Sequence, residues 1–453
     1  MGPSLDDMDT HDYVEVLDRI YDLPKHLLDH SEVFVPSPEQ RLERIRVTRE
    51  FLDRAVPGWR DIRVVHVAGT SGKGSTAWML ASMLSRRHRT GLVTSPHLFD
   101  LRERIRVDLE PISREDLVWV FQTRVVDPCR MLVEEDESFA LRFPEVILAT
   151  AFAHFLMVDV TWAVIEVALG GRYDQSNMLE PAAAVITNVS YDHMHQLGET
   201  LEEIAAHKAG VIKEGVPVYT TETQGAVLDI IRREAAAKDA PMHVVEVPPG
   251  PSGTLRFKGL DWRLAMKGGH MRNNAALAIS VGLDVAGLSA EDCMKALATA
   301  QMPARFHEFR PEVFADVAHN PAKTAALAAT ISEELEGRRR VVVMGLTDKK
   351  DAPAVLEPLA GIADALVFTR SRYRGADPTG LLEAWEGLGT TAPAEVVISP
   401  REALARALEW AGDGGAVVVT GSTFVVDEAL NPEAELLEAN ALYVPPGEAP
   451  ARK

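Results

Sequence analysis

Apolar residues fall along the chain in two alternating textures. Short unbroken runs, Val64-Val-His-Val-Ala68, Thr90-Gly-Leu-Val-Thr94, Trp162-Ala-Val-Ile-Glu-Val-Ala168 and Ala183-Ala-Val-Ile-Thr-Asn188, suit strands buried on both faces of a parallel sheet. Longer stretches of helical period lie between them, as β–α alternation requires. Upstream, Tyr13 to Leu23 reads as a helix stopped by Pro24, and Glu39 to Ala55 as a basic amphipathic helix feeding the first strand. Thr200-Leu-Glu-Glu203 is a capping-box pattern opening a helix that runs through Lys208. Around Pro303 the texture resets. From Glu312 strand-like pieces (Val313 to Asp316, Arg340 to Met344, Ala365 to Thr369, Glu395 to Ile398, Gly415 to Thr420) again alternate with helical ones. The Ala-, Glu- and Pro-rich tail after Asn431 is expected to be only partly ordered, and no internal repeat is found.

Between the first apolar run and the helical pattern Thr76 to Leu84 stands Gly69-Thr-Ser-Gly-Lys-Gly-Ser75. A strand ending in a glycine-rich turn that opens a helix is built to hold phosphate. The glycines Gly69, Gly72 and Gly74 let backbone N–H groups approach phosphate oxygens, and the helix N-terminus adds partial positive charge. Thr70 and Ser71 belong to the same cradle, Lys73 would reach the terminal phosphates, and a hydroxyl of Ser75 or Thr76 would face a magnesium shell. The loop departs from GxxxxGK[ST], since Val67 stands where the first glycine belongs and Gly74 separates Lys73 from the hydroxyls. The expected fold class is therefore α/β: a parallel-sheet P-loop ATPase domain over 1–302, a hinge at 303–310, and a smaller Rossmann-like α/β domain over 311–453.

Ligands of parallel sheets gather outside the carboxyl ends of the strands. Ser95 ends one strand, Glu166 lies near the end of another, and Asp192-His193 follows a third. A hydroxyl, a carboxylate and an imidazole beside a phosphate loop suit a magnesium shell completed by water. Taken singly, Glu166 also fits a buried carboxylate paired with Arg172 or another cation, and His193 a structural histidine.

Composition narrows the classes. The 453 residues carry a net charge of −20, which disfavours binding to a polyanion such as nucleic acid. Two cysteines, Cys129 and Cys293, are too few for a disulfide framework and point to a reducing cytoplasm. The acidic start Met1 to Asp7 lacks the plan of a signal peptide, and no apolar run is long enough to span a bilayer. The expectation is a cytoplasmic protein with no nucleic-acid or membrane partner, acting as a monomer.

Several segments, in order, resemble the folylpolyglutamate synthase and dihydrofolate synthase group of Mur-type ligases. They are His66 to Ser75, Thr94-Ser-Pro-His-Leu98, Arg102 to Arg106, Glu166 to Asn177, Asp192-His193, Leu197 to Ile204 and Lys208 to Lys213. Asn274-Ala-Ala276, Pro303-Ala-Arg-Phe306, Asp316 to Pro321 and Gly421-Ser422 continue the match. The resemblance implies that ATP phosphorylates an acceptor carboxylate, folate in most of that group, and that the amino group of L-glutamate then displaces phosphate. Dihydrofolate synthase activity is a further expectation; the alternatives are a non-folate carboxylate acceptor or a catalytically silent nucleotide-binding protein.

By that resemblance, Lys73 neutralises phosphate charge, while Ser95, Glu166 and His193 hold Mg2+. Lys208 matches a lysine commonly carbamylated, the carbamate facing magnesium; an exposed helix lysine is the plainer alternative. Asn274 matches an adenine-side asparagine, and Arg305 and Asp316 match residues gripping phosphate and ribose. His319 and Ser422 match positions near the amino-acid pocket, and Pro303 to Phe306 an interdomain hinge. His97, Glu145, Tyr173 and Gln175 fall at acceptor-side positions. Departures from the group's usual pattern cluster there: Arg142-Phe-Pro-Glu145 stands for a threonine, two aromatics and glutamate, and Tyr173 and Gln175 replace the usual leucine and alanine. The phosphate loop carries Ser71 for the usual asparagine.

Overall fold

The computed structural model describes residues 10–21, 37–347 and 350–431. The expected end of the first helix at Leu23 and Pro24, the acidic start and the tail beyond Asn431 lie outside the described residues. The chain divides into two compact units. The first takes the described residues up to Val247 together with Asn274–Ala296; the second takes Pro248–Asn273 and continues from Leu297. The division thus differs from a single boundary at 302, because the segment 248–273 belongs to the second unit.

The first unit is built on an eight-stranded sheet. Its strands are β1 (Arg63–Ala68), β2 (Thr90–Val93), β3 (Ile105–Val107), β4 (Glu110–Pro111), β5 (Trp162–Glu166), β6 (Ala183–Ile186), β7 (Val218–Thr220) and β8 (Met242–Val244), in the order β4-β3-β2-β5-β1-β6-β7-β8. From β2 to β8 every pairing is parallel; β3 and β4 add an antiparallel edge. β5 and β6 are buried along their whole length and β1 after its first residue, which is why they read as continuous apolar runs. Crossover segments between parallel strands include the helices Lys73–Leu84, Phe143–Met157 and Leu201–Ala209. The last has the expected capping box, Thr200 accepting from the Glu203 N–H. A second cap that was not anticipated, Ser37 with Gln40, starts the helix Pro38–Ala55 ahead of Pro38.

The second unit carries a short antiparallel hairpin, β9 (Thr254–Phe257) with β10 (Leu260–Arg263), and a six-stranded sheet. The sheet comprises β11 (Arg305–Arg310), β12 (Val313–Asp316), β13 (Arg340–Met344), β14 (Ala365–Phe368), β15 (Ala394–Val396) and β16 (Ala416–Thr420), ordered β11-β12-β16-β13-β14-β15. Only β11 runs antiparallel. Its core of Val342, Met344, Leu366, Phe368, Val418 and the helix residues Leu327, Ile331 and Trp385 is almost wholly excluded from solvent.

Candidate active site

Four neighbouring parallel strands, β2, β5, β1 and β6, deliver their carboxyl ends to one edge of the first sheet. At about 4.8 Å between strands, that edge is roughly 14 Å across. The loop after β1 is the glycine-rich turn. Gly69 (φ 145°) and Gly72 (φ 81°) occupy backbone conformations that side chains rarely adopt. A Cβ on Gly69 would collide with Thr187 Oγ1, and one on Gly72 with Asn274 Oδ1. Asn274 is thus packed directly against the phosphate loop.

The helix Lys73–Leu84 begins behind Gly72 with no side-chain cap, so its first N–H groups are open to an anion. From Gly74 to Leu84 every residue is buried, while Lys73 is only half-buried. Thr76 Oγ1 is buried without a hydrogen-bond partner. A glycine cradle, an uncapped helix start and an orphaned hydroxyl together fit a phosphate chain and its cation.

The loop's shape is imposed by the end of β6. Thr70 N donates to Asn188 O (2.9 Å), Ser71 N to Asn188 Oδ1 (3.0 Å), and Thr187 Oγ1 to Ser71 O (2.6 Å). Asn188 Nδ2 also donates to Ser71 O (3.1 Å), and Ser190 N to Thr70 Oγ1 (3.0 Å). Both backbone groups of Ser71 are therefore spent on β6. Thr187 and Asn188, which brace the loop, are not marked by the sequence motifs; two polar residues ending an apolar strand were the available signal.

Ser95 and Glu166 meet at adjacent strand ends: Ser95 N donates to Glu166 Oε2 at 2.9 Å, and Glu166 is 7% exposed. Of the cations that could pair with Glu166 as a structural carboxylate, Arg172 is engaged elsewhere, with Glu234 (2.8 Å) and the Ala206 carbonyl. His193 sits on the turn after β6 in a left-handed conformation (φ 51°), with its side chain half-exposed and 3.8 Å from the Asp192 carboxylate. Among the described residues no three His, Cys, Asp or Glu side chains form a metal cage. A cation held here would draw on hydroxyl, water and phosphate oxygens as well.

Lys208 is buried, 3% exposed, in the last turn of its helix, which rules out the exposed-lysine alternative. The turn after β5 closes over it: Gly171 lies against the Lys208 and His207 carbonyls, and Arg172 N donates to His207 O (2.7 Å). Tyr173 follows with its ring edge-on to His207 (5.4 Å between centroids), and Gln175 is buried in the short turn beyond.

Two of the residues expected on the acceptor side have firm structural partners. Glu145, fully buried, is clasped by both Nε and Nη2 of Arg44 and also accepts from the Arg142 N–H (2.9 Å). Its oxygens hold two segments of the protein together. His97 is buried and accepts at Nδ1 from Arg104 Nε (2.8 Å), with Tyr21 Oη 3.4 Å from Nε2. Burial, and then the Arg104 charge, hold its pKa well below the usual imidazole value, so it is a neutral Nε2–H donor.

In the second unit, Arg305 and Asp316 face each other across the β11–β12 pairing. Asp316 accepts from the Phe306 and Ala318 N–H groups (3.0 and 2.9 Å); burial raises its pKa against the opposing pull of Arg305 and those two bonds. Ala304 (φ 52°) and Phe306 (φ 46°) flank Arg305 in the left-handed region, an unusual strain for non-glycine residues. His319 donates from Nδ1 to Val317 O (2.8 Å) and accepts at Nε2 from Lys323 (3.1 Å). Ser422 caps the helix Thr423–Leu430 through Val425 N (3.1 Å). The two loops touch, since Gly421 N donates to Ala318 O (3.1 Å).

This architecture is that of a Mur-type ligase. The Mur ligase middle domain matches residues 142–282 and the Mur ligase glutamate ligase domain residues 304–423. The dihydrofolate synthase/folylpolyglutamate synthase of Bacillus subtilis is 34% identical over 331 residues, covering 68% of this chain and 76% of its own. That of Mycobacterium tuberculosis is 32% identical over 385 residues, covering 77% of each. The crystal structure of folylpolyglutamate synthase from Thermotoga maritima superposes with a TM-score of 0.77 at 30% identity, over 92% of this chain and 96% of that one. The chain belongs to the dihydrofolate synthase/folylpolyglutamate synthase family and is an ATP-dependent carboxylate–amine ligase. Among its described residues no helix is long and apolar enough to cross a membrane.

Proposed function

We propose that this ligase joins L-glutamate to the carboxylate of a folate, as a folylpolyglutamate synthase. The observation that carries the reading is the contact of Ser95 with the buried Glu166 and the buried Lys208 in the same unit as a phosphate loop braced by Thr187 and Asn188.

In this reading an acceptor carboxylate oxygen attacks the γ-phosphorus of ATP, ADP leaves, and an acyl phosphate forms. The glutamate amine then attacks the acyl carbon, losing a proton, and inorganic phosphate departs. Positioning and charge neutralisation do most of the catalysis. Lys73 and the uncapped helix start take the phosphates. Mg2+, held by Ser95, Glu166, His193 and the hydroxyls of the loop, would neutralise the charge that builds on the transferred group. A carbamate on Lys208 would turn a buried cation, costly where it stands, into an anion suited to that metal. Asn274 is assigned to the adenine side, Arg305 and Asp316 to phosphate and ribose, and His319 and Ser422 to the incoming amino acid. The neutral His97 is suited to donate to an acceptor oxygen.

Dihydrofolate synthase activity, action as a monomer and a cytoplasmic setting belong to the same proposal; the two free cysteines support the last. The test is phosphate release from ATP in a panel of acceptors with and without glutamate. Release that requires both a folate and glutamate is expected. Release with other carboxylates but no folate would move the assignment to a different acceptor.

A further inference from the structure

The hairpin β9–β10 and the loops at its open end enclose a cavity of about 570 Å³ in the second unit. Arg256, Arg263, Lys267 and Arg272 line it, against the single carboxylate of Asp261. Glycine makes room for two of these cations: a Cβ on Gly250 would stand 2.3 Å from Arg272 Nη1, and one on Gly253 2.7 Å from Lys267 Nζ. Arg272 is 4% exposed and fastens the loop. It donates from Nη1 to the carbonyls of Pro251 (3.1 Å) and Thr254 (3.0 Å), and from Nη2 to that of Pro248. Those bonds use three of its five N–H groups, and no carboxylate among the described residues forms an ion pair with it. A buried charge without a counter-ion is costly, and the open cavity beside it is where one can enter. Arg263, paired in the ladder with Thr254, is exposed and makes no ion pair or side-chain hydrogen bond among the described residues. The other two cations are held loosely. Arg256 meets Asp261 at 2.5 Å with both side chains more than half exposed, and Lys267 meets Glu334 at 3.5 Å. Pairs of that kind contribute little and exchange readily for another anion.

The loop docks on the far end of the helix Pro321–Glu334: Ser252 N donates to Glu333 (2.7 Å), Lys267 pairs with Glu334, and Gly268 lies against Thr330. That helix has 14 residues, so its far end stands roughly 20 Å from its start beside His319. We propose that the hairpin cavity is an anion site, separate from the positions assigned to the incoming amino acid, that takes the phosphate group of a small molecule. The source is either free inorganic phosphate or a phosphate monoester. A phosphate dianion would give Arg272 the counter-charge it lacks and accept a forked pair of hydrogen bonds from Arg263. It would also draw Arg256 and Lys267 away from their carboxylates. On a chain of net charge −20, this cationic lining marks a place where an anion is attracted rather than repelled. The inference is independent of which acceptor the ligase uses.

The experiment is a calorimetric titration of the full chain with inorganic phosphate, and separately with glycerol 3-phosphate. Mg2+ and a non-hydrolysable ATP analogue fill the phosphate loop beforehand, so that the added anion cannot bind there. One site with a Kd of about 1 mM or tighter is expected, weakening several-fold as NaCl is raised to about 0.5 M. Arg263→Ser and Arg256→Ser should each weaken binding about tenfold, and the double variant should abolish it. Both residues are exposed on the hairpin, so the unfolding temperature in phosphate-free buffer should stay at the wild-type value. Tighter binding of glycerol 3-phosphate would assign the site to a phosphorylated metabolite, and tighter binding of inorganic phosphate to the free ion. No binding of either by the wild type at about 10 mM, or wild-type affinity in the double variant, would overturn the inference. Neither result would touch the folate reading, which is tested by turnover.

Discussion

At the scale of single residues, the structure depends on one atom that is missing and one ion pair that is complete. Gly72 has no Cβ, and Asn274 Oδ1 occupies the place where one would stand. Gly72→Ala therefore meets both a left-handed backbone (φ 81°) and a packed amide. KM for ATP should rise at least tenfold with the far-ultraviolet circular dichroism unchanged; a wild-type KM would remove the loop from nucleotide binding. The buried Arg44–Glu145 pair ties the helix Pro38–Ala55 to the helix Phe143–Met157. Arg44→Leu leaves a carboxylate stranded at zero exposure, and removing one partner of a buried pair costs about 3–5 kcal/mol. Urea unfolding should record that loss, and a change below ~1 kcal/mol would mean that Glu145 finds another partner.

At the scale of elements, the apolar runs named β1, β2, β5 and β6, because short, β-branched runs bounded by turn residues suit strands buried on both faces. The same logic located the glycine turn, Ser95 and Glu166 at strand ends. What stayed hidden depended on partners remote in sequence. Ile105–Val107 pairs as an antiparallel edge through β2, and the role of Glu145 is fixed by Arg44, 101 residues away. Nothing local distinguishes a substrate carboxylate from one already claimed. Thr187 and Asn188 were visible as the polar end of a strand, yet their work lies across the sheet on residues 70 and 71. Asn188→Ala deletes two hydrogen bonds to Ser71; the Ser71 C=O keeps the Thr187 hydroxyl, while its N–H loses its partner, at about 1–3 kcal/mol if it stays unmet. Weaker ATP binding by calorimetry is expected, with a smaller effect on the KM for glutamate; equal losses for both substrates would point to general unfolding.

At the scale of the molecule, burial of titratable groups ties stability to pH. His66 on β1 is fully buried, bonded at Nε2 to Ser176 Oγ (2.8 Å), and burial, with Lys213 adding to it, lowers its pKa to about 3. The unfolded chain takes up a proton at this residue near pH 6.5 and the folded chain does not. Stability from His66 is therefore present above pH 6.5 and is lost as pH falls toward 3, at about 1.4 kcal/mol per pH unit. Urea midpoints of the wild type should fall more steeply between pH 6 and 4 than those of His66→Gln; parallel slopes would show that His66 titrates normally.

The most direct test of the central claim follows one oxygen atom. With the acceptor carboxylate labelled with oxygen-18, transfer of the γ-phosphoryl group to that carboxylate places one labelled oxygen in each phosphate released during glutamate addition. Mass spectrometry of the phosphate should find a single label per turnover in the wild type. Unlabelled phosphate, released while product amide still forms, would contradict the acyl-phosphate account of this site.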